Sequence, residues 1–183
     1  MDFKLDEHGF SWTASCRLPS WSGYLERSGA YGGAGSQATS DGRVEIVFAP
    51  EGRDNSPLRE DELRLVQWFL DNEDSVSDAV KAAIFEAYPA LIADYGYTAE
   101  EQAEFMPKVL EPGELKRLIG LHTVHVHQTR NGTEPYLGFE FGCIWDDEHG
   151  LGVLTHGNRV VEVAGSDTAG LLWMTEQDAE TGA

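Results

Sequence analysis

Residues 136–165, Tyr136 to Gly165, read YLGFEFGCIWDDEHGLGVLTHGNRVVEVAG, and their alternation decides the fold. Successive side chains of a strand point to opposite faces. Leu137, Phe139, Phe141, Cys143 and Trp145 therefore share one face, and Tyr136, Gly138, Glu140, Gly142 and Ile144 share the other. The first set is a core face. Residues 151–155 and 159–163 continue as two more strands, joined by a tight turn at Gly157-Asn158. Between the first two strands lies a polar knot, Asp146-Asp147-Glu148-His149-Gly150.

Immediately upstream, residues 121–128 form a further strand, and Asn131-Gly132 supplies the hairpin signal that connects it to Tyr136. Four strands with short connections make an antiparallel meander. Before it, residues 57–119 are helical in pattern. Ser56-Pro57 combines an N-cap residue with proline at the first helical position, and Leu58, Leu63, Leu65, Val66, Trp68, Phe69 and Leu70 load the helix so widely that it is expected to be covered on more than one side. Residues 75–95 form a second helix, opened by a capping box at Ser75 and Asp78, with Pro89 expected to kink or break it near Tyr88. Thr98-Ala99-Glu100-Glu101 is a capping box for a third, and Pro112 opens a fourth that turns Leu115, Leu118 and Ile119 inward.

The first 50 residues return to strand patterns. Trp12, Ala14, Cys16 and Leu18 alternate with polar residues, and Val44, Ile46 and Phe48 align on one face of another antiparallel strand. The glycine-rich run between Ser28 and Ser36 has neither the Lys-Ser/Thr nor the flanking strand and helix of a phosphate cradle, so it reads as a hairpin loop. The whole predicts an α+β fold: an antiparallel sheet, made of N-terminal strands plus a C-terminal four-strand meander, packed against a central set of helices. One domain is expected over residues 1–183, β-rich at 1–50, helical at 57–119, and meander plus C-terminal segment at 121–175, with fraying after Glu176.

Charge limits the partners. With 32 acidic against 13 basic residues the formal charge is −19, which argues against nucleic acid and anionic membrane, since both need clustered Lys and Arg. A basic protein or a cation is the fitting counterpart. The N-terminus lacks the basic start and apolar run of an export signal, so a cytoplasmic setting is expected, with Cys16 and Cys143 reduced unless their strands are adjacent.

Two constellations could carry chemistry. His125 and His127 stand two apart on one strand face, a spacing that can chelate one divalent metal if His149, His156 or Glu140 supplies a third ligand; the alternative is a polar strand face opposite Val124 and Val126. A metal-dependent or hydrolytic enzyme would use His125, His127, His149 and a carboxylate from Glu140, Asp146 or Glu148. The knot itself, with Glu140, Trp145, Asp146, Asp147, Glu148, His149 and Gly150, offers a base, an acid or oxygen ligands, but matches neither a calcium-loop register nor a nucleophile motif. Its other reading is an acidic turn whose carboxylates accept backbone amides, with glycine permitting the bend. No cofactor fingerprint is present. Of the five tryptophans, Trp21 has the weakest core pattern around it and is expected to be exposed.

The run Trp145-Asp146-Asp147-Glu148-His149-Gly150-Leu151-Gly152-Val153, followed by Arg159 to Val163 and by Ser166-Asp167-Thr168-Ala169, resembles an uncharacterised family of bacterial domains with a Trp-Asp-x-Glu-His-Gly-Leu-Gly-Val core. The likeness extends from about Pro57 onward. The family implies no activity. Small acidic domains of this character are similar to immunity proteins that neutralise toxins, which places a non-enzymatic interaction module beside the metal-dependent enzyme as the two functional expectations.

Overall fold

The computed structural model describes residues 1–26, 38–53, 55–146 and 148–182. Among them seven strands form one sheet in sequence order: β1 (Lys4–Leu5), β2 (Trp12–Arg17), β3 (Arg43–Phe48), β4 (Ile119–Asn131), β5 (Glu134–Cys143), β6 (Leu151–His156) and β7 (Arg159–Ala164). All neighbours pair antiparallel except β3 and β4, which run parallel. That one departure from the expected pairing follows from the long helical crossover between them, which carries the chain back to the end of the sheet where β3 began. The fold is α+β, as the alternating and helical patterns predict. The glycine-rich run falls outside the described residues.

The crossover holds α1 (Glu60–Asp71), α2 (Glu73–Tyr95), α3 (Ala99–Phe105) and a 3₁₀ turn at Pro112–Arg117. Helix α1 starts later than the Ser56-Pro57 signal implies. Its N-cap is Arg59, whose amide donates to the carboxylate of Glu62 at 2.7 Å, so the capping box sits one turn further on. Leu65, Val66 and Phe69 are buried in the hydrophobic core and Leu58, Trp68 and Leu70 are partly buried against it, while Leu63 stays exposed. Helix α2 begins at Glu73 without the Ser75 box and runs through Pro89 unbroken. Buried Ile84 and Tyr88 on one side and partly buried Leu91 and Ile92 on the other pin both flanks to the core, which outweighs one lost backbone bond. Thr98 caps α3 as expected, accepting from the Glu101 amide.

The core face of the sheet is the one read from the sequence. Val44, Ile46, Phe48, Val124, Val126, Leu137, Phe139, Phe141, Cys143 and Val153 form one cluster with the helical Phe69, Val76, Val80 and Ile84. Aromatic rings lock its centre: Phe69 meets Phe139 edge-on at 5.8 Å, and Trp21 lies 5.1 Å from Phe141. Trp21, expected at the surface, is only 1% exposed, because its indole N–H donates to Ser77 on α2 at 2.8 Å. Cys16 and Cys143 lie on strands separated by β3 and β4 and are not bridged to each other. Among the described residues no helix is long and apolar enough to cross a membrane.

The opposite face is covered as well. A 3₁₀ turn at Ser166–Ala169 and helix α4 (Leu172–Thr181) lie against β4, β5 and β6. Two glycines make the seat. A Cβ on Gly138 would stand 1.8 Å from the Ala169 carbonyl oxygen, and one on Gly152 would stand 2.5 Å from that of Gly165. Helix α4 continues past Glu176, where fraying was expected, because Asp178 accepts from Tyr136 Oη at 2.7 Å and pairs with Arg159.

Candidate functional site

The β5–β6 connection is built by Asp146. Its Oδ1 accepts the amides of Glu148 at 3.2 Å and His149 at 2.8 Å, and the His149 Nδ1 lies 3.1 Å from the same oxygen. From the end of α2, Tyr95 Oη donates to Oδ2 at 2.7 Å. Burial works to raise the Asp146 pKa, but the bonds from Tyr95 and His149 outweigh it and hold the carboxyl below its ordinary value. Gly150 adopts a left-handed φ of 63°, and a Cβ there would meet the Phe141 carbonyl at 2.5 Å. Trp145 is buried, packed edge-on against Tyr88 at 5.6 Å, and its carbonyl accepts from Tyr97 Oη at 2.7 Å. Glu148 and His149 project into water. Asp147 lies outside the described residues. An oriented imidazole on a buried-edge carboxylate could pass a proton at the surface, while every bond in the group also closes the turn.

On the far face of the sheet, Glu140 holds a second polar group together. His125 Nε2 is 3.0 Å from its Oε2, and His122 Nε2 is 3.9 Å from its Oε1. Burial tends to raise the Glu140 pKa, but the His125 bond and the charges of both imidazoles bring it below the ordinary carboxylate value. Burial depresses His122, against the pull of Glu140. Beside them His127 is buried; its Nε2 bonds the Ala169 carbonyl at 2.9 Å, and desolvation pushes its pKa down to about 4. Its ring is a neutral donor fastening the 166–169 turn to β4. A cleft of about 460 Å³, lined by Glu26, Asp41, Arg43 and His122 among others, opens at this edge of the group.

The structure therefore brings His125 to Glu140, stacks His127 beside His125 but commits it to the Ala169 carbonyl, and leaves His149 apart in its own bond to Asp146. Among the described residues no three His, Cys, Asp or Glu side chains are grouped to hold a metal ion. His156 is bonded to the Asn131 carbonyl at 2.8 Å and stacked on Tyr136, apart from both groups.

Several participants escape a reading by period. His122 has the parity of Val124 and belongs on the core face by alternation. An irregularity in the β4–β5 ladder between Leu121 and Thr123 breaks that parity and lets its ring reach Glu140. Tyr95 and Tyr97 carry no local signal for their bonds to the knot, which lies about 50 positions along the chain. Trp173, which follows Leu171 and Leu172 in the sequence, is 55% exposed on α4.

A family model described as a domain of unknown function (DUF6985) matches residues 25–171, and the chain belongs to that family. The match spans the sheet from β3 to β7 and both polar groups. No curated protein and no solved structure matches the chain.

Proposed function

We propose that this member of the DUF6985 family is a non-enzymatic, acidic interaction domain that binds a basic protein, with immunity-like neutralisation of a toxin as its most specific form. The observation that carries the reading is the display of charge. The formal charge is −19, and carboxylates crowd exposed helical surface, as at Asp94, Glu100, Glu101 and Glu104 where α2 hands over to α3. Such a field accelerates encounter with a cationic partner and weakens as ions screen it beyond about 8–10 Å. Rigid helices on a sheet covered on both faces suit presentation of a fixed surface.

Co-expression with the product of the adjacent reading frame tests this. A one-to-one complex is expected, its association rate falling as salt rises and the partner's toxicity suppressed. No complex, and no protection against any neighbouring toxin, would sink the proposal.

A further inference from the structure

The two edges of the sheet are finished differently. At one edge β1 is two residues long, and it carries Lys4, a short and charged end of the kind that resists further pairing. At the other, β7 presents six residues, Arg159–Ala164, with one irregularity in its ladder to β6 at Leu154–Thr155, and among the described residues no strand joins its outer side. Among the described residues, none of its backbone groups bonds another segment's backbone outside the β6 ladder. A row of free amides and carbonyls is a template for one more strand.

Beside that edge lies a groove of about 320 Å³ between β7 and α4, lined by Val161, Glu162, Trp173, Met174 and Gln177 among others. Trp173 leaves 55% of its surface in water although Thr175, two positions on, is fully buried. An exposed indole beside an open strand edge is the kind of anchor that dominates binding when a partner covers it. Charge selects the occupant. Glu162 is exposed on β7, and Glu176 and Glu180 recur at helical spacing from Trp173. The basic residue of β7, Arg159, is committed to Asp178. A second copy would bring another formal charge of −19 and a second Glu162 to the same edge.

We propose that β7 and α4 form a docking groove for an extended, basic segment of the partner protein. The segment adds as an eighth strand on β7, sets a lysine or arginine opposite Glu162, and lays another cation over the Trp173 ring. This rests on the acidic interaction-domain reading and gives it an address.

The probe is a capped twelve-residue peptide of alternating arginine and valine, with its glutamate–valine counterpart as control. Titration of the full chain should show binding of the basic peptide alone, and hydrogen exchange should slow at residues 159–164. Trp173→Ala and Glu162→Lys, both at exposed positions, should each weaken binding tenfold or more. Glu104→Lys, the same charge change on α3, should leave it within twofold. Equal loss in Glu104→Lys means attraction by net charge alone and overturns the groove, as does protection of any other segment. A concentration-dependent dimer lost in Glu162→Lys overturns it in favour of a second copy. A neighbour-encoded partner that binds the Glu162→Lys/Trp173→Ala double variant as tightly as the parent removes the groove while leaving the interaction domain standing. Peptide docking on β7 without such a partner does the reverse.

Discussion

Acidification should loosen this protein through His127, and the size of the effect can be worked out. The ring is 7% exposed, bonded through Nε2 to the Ala169 carbonyl at 2.9 Å, with His125 stacked beside it at 6.5 Å between centroids. Desolvation first, and the neighbouring His125 charge as well, depress its pKa from 6.5 to about 4, against the Ala169 bond that favours the proton. In the unfolded chain the imidazole takes its proton at the ordinary value, so between those two pKa values the unfolded state binds more protons than the folded one. Stability is therefore full above pH 6.5, falls as pH drops through this window, and levels off below 4. A shift of about 2.5 units at 1.36 kcal/mol per unit makes the loss about 3 kcal/mol, a large fraction of the 5–15 kcal/mol typical of a domain. His127→Gln retains an N–H for Ala169 and does not titrate. Urea unfolding of both proteins from pH 7 to pH 4 should show the parent losing about 3 kcal/mol relative to the variant. Taking the difference cancels the contribution of His122, which burial depresses in the same direction. Parallel profiles, agreeing within about 0.5 kcal/mol at every pH, would refute the assignment of a buried neutral imidazole at this position.

Two further outcomes follow from contacts on either face of the sheet. Gly138→Ala places a methyl group where the Ala169 carbonyl stands, 1.8 Å away, so the 166–169 turn must lift; a loss of about 3 kcal/mol is expected in denaturant unfolding, and a loss below about 1 kcal/mol would mean the turn is not seated there. Tyr95→Phe removes one of the bonds that lower the Asp146 pKa, so the carboxyl should titrate closer to its ordinary range in an NMR pH series while unfolding free energy changes by less than about 1 kcal/mol.

Much of the sheet was legible because its determinants are local. Alternation over Leu137 to Trp145 names the core face that α1 and α2 cover, and Gly132 and Gly157, with φ of 74° and 56°, mark the two hairpin turns. Thr98 and Glu101 state a helix start within four residues. What the sequence conceals is non-local. Trp21 is buried by Ser77, 56 positions away, and by Phe141, which no period around residue 21 encodes. Trp173 sits among apolar neighbours yet faces water, because α4 spends its inward positions on Thr175 and on Asp178, whose carboxylate takes Tyr136. The parallel β3–β4 pair depends on where three helices deliver the chain. At the candidate sites, Glu140 and His125 are visible as a pair on one face, whereas the ladder irregularity that adds His122 leaves no trace in the pattern.

The bonds of the polar knot bear on where function is carried. Asp146 spends one oxygen on two backbone amides and the other on Tyr95; Gly150 and Gly152 give up side chains so that the Phe141 and Gly165 carbonyls can approach. Each of these contacts fixes the path from β5 into β6 and seats the 166–169 turn, and that turn delivers α4. His127 and Gly138 secure the same turn from the sheet side. The stretch that looks most like an active site in the sequence thus sets the position of α4 relative to β7, which is the geometry the proposed groove requires. A substitution in the knot should then weaken partner binding through displacement of Trp173, without the knot touching the partner. Hydrogen exchange separates this from direct contact: a Gly150→Ala variant, whose methyl would press on the Phe141 carbonyl and on Ser166, should expose α4 amides before any ligand is added, whereas loss of a contact residue would leave exchange of the free protein unchanged.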